Sequence, residues 1–67
     1  MKIKDVLQDW YWKNNTDTDA IKIVNGKIIH AVISFNENNG VYDVRIYNSD
    51  DTTLLQHYCL SGLGYFI

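Results

Sequence analysis

Ala20-Ile21-Lys22-Ile23-Val24-Asn25-Gly26-Lys27-Ile28-Ile29-His30-Ala31-Val32-Ile33-Ser34-Phe35 is the stretch that decides the fold. Asn-Gly between two β-branched runs is the strongest short hairpin signal, because both residues accept the positive φ of a type I′ turn. On its far side, Lys27 to Phe35 alternates with Ile29, Ala31, Ile33 and Phe35 on one face, and Ile28, His30, Val32 and Ser34 on the other. Outward from this hairpin, Asn36-Glu37-Asn38-Asn39-Gly40 makes the next turn and Val41 to Tyr47 the next strand. Its inward set reads as Tyr42, Val44 and Ile46, leaving Val41, Asp43, Arg45 and Tyr47 outward. Asn48-Ser49-Asp50-Asp51 is a further turn, and turns recurring about every twelve residues describe an antiparallel meander. Thr52 to Leu60 fits either a fourth strand or a helix capped by Asp51 and closed by Gly62, with the strand preferred for its threonines, Tyr58 and Cys59.

Before the hairpin the period changes. Ile3, Val6, Leu7 and Trp10 follow the i, i+3, i+4, i+7 rule, which predicts an amphipathic helix from Lys2 to about Lys13, ended by Asn14, Asn15 and Thr16. Its apolar stripe is expected to pack on Ile21, Ile23, Ile33, Phe35, Val44 and Ile46. The expected fold class is therefore α+β, one small domain over residues 1–67 with an N-terminal helix across a three- to four-stranded antiparallel meander.

At 67 residues, with eight acidic and six basic side chains, the chain has room for one modest core and none for an enclosed cofactor. A net charge of −2 argues against a sequence-blind nucleic-acid binder. An RNA-binding sheet using Tyr42 and Tyr47 is disfavoured for the same reason. One cysteine forms no internal disulfide, and no long apolar run suggests a membrane span or signal peptide, so a cytoplasmic protein is the expectation.

Catalytic and metal motifs are missing from the sequence. His57 and Cys59 stand in H-x-C spacing, and His30 joins them only if the fold brings it there, so neither metal nor cofactor is expected. No phosphate loop or nucleophile elbow occurs, and a non-enzyme is expected. Three surface features remain. Trp12 falls opposite the helix stripe, beside Asp5 and Asp9, either as an anchor for a partner or folded back over the core. Asp17, Asp19, Glu37, Asp50 and Asp51 lie in turns that are read as grouping at one end of the sheet, either as a negative patch for a basic partner or as plain turn chemistry. Leu63, Tyr65, Phe66 and Ile67 either complete the core or form an apolar end, in which case Tyr65, Phe66 and Ile67 are the contacts of a homodimer.

Met1-Lys2-Ile3-Lys4-Asp5-Val6-Leu7 running straight into a helix, followed by Asn38-Asn39-Gly40-Val41-Tyr42 in a polar hairpin, resembles the small phage-encoded anti-CRISPR proteins that lay a helix on a three-stranded sheet. No functional residue carries over position by position. The resemblance implies a small inhibitor that occupies the working surface of a nucleic-acid enzyme. On that expectation Trp12, Asp17, Asp19, Glu37, Asp50 and Asp51 are the partner-binding residues, with a regulatory homo-oligomer as the alternative.

Overall fold

In the computed structural model, which describes all of residues 1–67, the Asn25-Gly26 turn closes as its chemistry requires, with φ of 53° and 77°. It joins β2 (Asp19–Val24) to β3 (Lys27–Asn36), and β4 (Val41–Tyr47) and β5 (Leu54–Ser61) follow in sequence. A two-residue strand β1 (Tyr11–Trp12) adds to the outer side of β2, giving one five-stranded antiparallel sheet in the order β1-β2-β3-β4-β5. The ambiguous segment is thus a strand. A register shift between Ile46 and Tyr47 marks where β5 joins β4 out of step with the turn.

The expected α+β class is overturned, for the sheet is nearly the whole molecule and the only helix, α1, is Ile3–Val6. Helix nucleation is costly, and four residues repay little of it. Asp5 and Asp9 would repel one another at i, i+4 in a longer helix. Trp10-Tyr11-Trp12 is an aromatic run suited to a pleated surface, and Tyr11 and Trp12 pair with Ile21 and Ala20 instead of continuing the helix. Ile3 and Leu7 are buried and Trp10 is half-buried, as the stripe requires, whereas Val6 is exposed. No helix is long and apolar enough to cross a membrane.

The core lies on one face only. Ile3 and Leu7 pack on Ile33 and Val44, and Ala20, Ala31 and Ile46 form a second group. The alanines leave room on the sheet for Trp10 and Trp12, whose rings close over them. Lys4 and Lys22 place their ammonium groups 5.6 and 5.9 Å from the ring centroids of Trp12 and Trp10. The expected packing of the helix on Ile21 and Ile23 is reversed by register. Lys22 pairs with Ile29 and Ala20 with Ala31, so Ile21 and Ile23 share the opposite face with His30 and Ile28.

The ends of the chain close on each other. The Met1 amino group donates to the Gly64 carbonyl at 2.7 Å, and the Ile3 and Phe66 N–H groups bond the Phe66 and Met1 carbonyls. Tyr65 packs against the core, while Leu63, Phe66 and Ile67 stay exposed. Gly62 abuts the β3–β4 turn, where a Cβ would come within 2.5 Å of the Gly40 carbonyl oxygen. Leu7→Ala is expected to cost about 2–4 kcal/mol in denaturant unfolding, a large share of a small domain's stability. Gly62→Ala should lower the unfolding midpoint clearly more than Gly64→Ala, because a Cβ on Gly64 meets nothing within 4 Å.

Candidate functional site

No element packs across the second face of the sheet, and Asp43 is its one buried residue. Alternation places Tyr11, Asp19, Ile21, Ile23, Ile28, His30, Val32, Ser34, Asp43, Arg45, Tyr47, His57 and Cys59 there, in three zones. Under β1 and β2 the face is apolar. Tyr11 and Ile23 are 68% and 71% exposed, and with Asp9, Ile21 and Lys22 they line a hollow of about 400 Å³. Ile28 stands across from Ile23 and is also exposed.

The middle zone is a hollow of about 350 Å³, with Lys13, Asp19, His30, Val32, Tyr47 and Asp51 in its wall. The β4–β5 turn bends over this part of the face, and Asp51, at φ 61°, brings its carboxylate 3.0 Å from His30 Nε2. Asp50 is used differently. Its carboxylate accepts from the Thr53 hydroxyl at 2.6 Å and from the Thr53 and Thr52 N–H groups, which together hold its pKa down at about 2.

The third zone is polar and spans β3 to β5. Asp43 is only 7% exposed. Its Oδ1 accepts from His57 Nε2 at 3.1 Å and from the Cys59 thiol at 3.3 Å, while Arg45 Nη2 lies 3.9 Å from Oδ2. Arg45 is also anchored to Ser34 Oγ at 3.3 Å. The His57 and Cys59 hydrogen bonds and the Arg45 charge draw the Asp43 carboxyl below its ordinary range against the opposing effect of burial. The same Asp43 contact, helped by desolvation, pushes the Cys59 thiol up. His57 and Cys59 both give their hydrogen to one carboxylate oxygen, so the sulfur is held as a thiol and is no activated nucleophile. Ligand atoms of Asp43, His57 and Cys59 all lie within 4.8 Å of one another, the one group with the donors to hold a metal ion.

The six residues singled out from the sequence do not form one patch. Successive turns of a meander lie at opposite ends of the sheet, so Glu37, in the β3–β4 turn, is remote from Asp50 and Asp51. The expected grouping at one end fails for that reason. Asp17 is paired with Lys4 at 2.7 Å. Trp12 sits on the core face, where its indole N–H is buried without a hydrogen-bond partner. Only Asp19 and Asp51 come together, across the central hollow. What sequence reasoning missed is Asp43 as the centre of a cluster. The H-x-C pair was visible, but the partner strand's register was needed to set Cys59 opposite Asp43. In comparisons with known proteins, no family model, no curated protein and no solved structure matches the chain.

The Asp50 contacts have a pH signature. A carboxyl held near 2 in the folded chain, against about 3.8 unfolded, contributes stability that is present above pH 4 and is lost as pH falls through 2. Asp50→Ala should therefore melt lower than the parent at pH 7, with the difference shrinking between pH 4 and 2 in thermal unfolding followed by circular dichroism.

Proposed function

We propose that the protein is a non-catalytic binding protein that docks its uncovered sheet face on a larger protein and inhibits it. The observation that carries this reading is the apolar zone in which exposed Tyr11 and Ile23 and half-buried Ile21 line a hollow, with exposed Ile28 across from Ile23. Five strands about 4.8 Å apart and roughly six residues long make a face of roughly 400–500 Å². A stable interface takes about 800 Å² from each partner, so the contact must extend onto the neighbouring turns. That brings in Lys13 and Asp51, which rim the central hollow, and Asp9 beside Tyr11.

The occupant this suits is a protein surface with an apolar or aromatic knob and basic groups around it. The knob fills the hollow under β1 and β2, and the basic groups meet Asp9, Asp19 and Asp51. Nucleic-acid enzymes carry surfaces of that charge, and an inhibitor seated there excludes the nucleic acid. A homo-oligomer is the second reading, and the edge of β5 favours it. Its eight residues contain no lysine and no proline to blunt the edge, and Leu63, Phe66 and Ile67 are exposed beyond its end.

Once a partner is isolated with the parent chain, Tyr11→Ala with Ile23→Ala should speed dissociation at least ~10-fold, as loss of a central anchor does. Asp51→Asn should instead slow association, and more so at low salt, where steering is unscreened. A partner bound with unchanged kinetics by both variants overturns the reading.

A further inference from the structure

We propose that Asp43, His57 and Cys59 form a three-donor binding site for a divalent cation of the zinc class. The β4–β5 register creates the site. Asp43 faces Cys59 directly across the ladder, and His57, paired with Arg45, is the next residue of β5 on the same face. Neighbours of this kind have Cβ atoms about 5 Å apart when opposed and 7–8 Å apart on the diagonal, a gap that an imidazole spans and a shorter side chain does not. The two contacts to Asp43 Oδ1, at 3.1 and 3.3 Å, are already near the ~3.3–3.8 Å that separates ligand atoms around a tetrahedral ion with bonds of 2.0–2.3 Å. The remaining edge of the triangle, within 4.8 Å, closes by rotation of His57 and Cys59, both exposed on an edge strand with nothing over them.

The donor set selects the metal. One carboxylate oxygen, one imidazole nitrogen and one sulfur suit zinc and its neighbours, whereas calcium and magnesium require mainly oxygen. Without metal, the Asp43 oxygen is satisfied by two hydrogens, one on Cys59 and one on His57. On binding, the thiol proton leaves to solvent, and the neutral imidazole gives up its Nε2 proton and takes one from solvent on Nδ1, which frees the Nε2 lone pair for the ion. Carboxylate and thiolate then balance the two positive charges of the ion. Arg45 is the group that opposes binding, yet its second anchor at Ser34 Oγ holds it to the side as Asp43 turns to the ion. The fourth coordination position faces solvent, so three protein ligands and one exchangeable ligand are expected.

The test uses the full chain and the metal alone, and so stands apart from the docking reading. Titration with Co²⁺ should give one ion per chain, with the near-ultraviolet charge-transfer absorption of a cobalt–thiolate bond, and one equivalent of Zn²⁺ should abolish that absorption. His57→Gln, a change at an exposed position of β5, should weaken Co²⁺ binding by more than the ~10–100-fold that loss of a supporting group costs. Cys59→Ser should remove the charge-transfer absorption, and Arg45→Gln should tighten binding. His30→Gln, on the same face but outside the cluster, should change neither. Circular dichroism confirms that each variant is folded. A missing thiolate band at saturating Co²⁺, affinity unmoved by His57→Gln, or one ion per two chains overturns the site.

Discussion

The parity of the Asn25-Gly26 turn governs the rest of the molecule. A two-residue turn pairs Val24 with Lys27, and each step outward then pairs odd with even until Asp19 meets Val32. Since β3 commits Ile29, Ala31 and Ile33 to the core, Lys22 and Ala20 must lie beside them, and Ile21 and Ile23 must turn away. Those isoleucines then make the uncovered face apolar at one side. The small Ala20–Ala31 pair on the inner face has the converse effect, since it leaves the core short of volume that Trp10 and Trp12 supply. One turn thus sets both what the core needs and what the surface offers.

This explains what the sequence disclosed and what it concealed. The strands from Lys27 and Val41 were legible because alternation and turn residues agree there, and Val41–Tyr47 lies as the alternation places it. In β2 the alternation of Ile21 and Ile23 mimics a core-facing set, whereas counting back from the two-residue turn makes Ala20 and Lys22 the inner pair. The N-terminal segment is ambiguous for a related reason. Ile3, Leu7 and Trp10 satisfy a helical period and do reach the core, but so do a single helical turn followed by a strand, and periodicity over three or four positions does not separate the two. Tertiary pairing of Tyr11 and Trp12 with β2 decides it.

The candidate site was less legible than the fold because its members are joined by strand pairing rather than by spacing. Asp43 reads as one more outward residue of an exposed strand until β5 is placed beside it. That placement depends on the shift between Ile46 and Tyr47, a local irregularity with no marker in the residues themselves. The turn carboxylates show the opposite limit. Their types are easily read, but Asp50 is consumed by Thr52 and Thr53, Asp17 by Lys4, and Glu37 sits at the far end. Composition counts charges; only topology says which of them share a surface.

A single core-bearing face also constrains how the two proposed activities combine. The hollow lined by Tyr11, Ile21 and Ile23 lies under β1 and β2 and the Asp43–His57–Cys59 cluster between β4 and β5, with β3 between them. A substitution in one zone leaves the other's contacts intact, so docking and metal binding are separable by mutation although they share a face. They are coupled in one physical respect. A protein seated over the whole face would cover the open coordination position and, with a donor of its own, complete the ion's shell. A metal ion would then raise affinity for a partner that supplies such a donor, and by linkage that partner would raise affinity for the ion by the same factor.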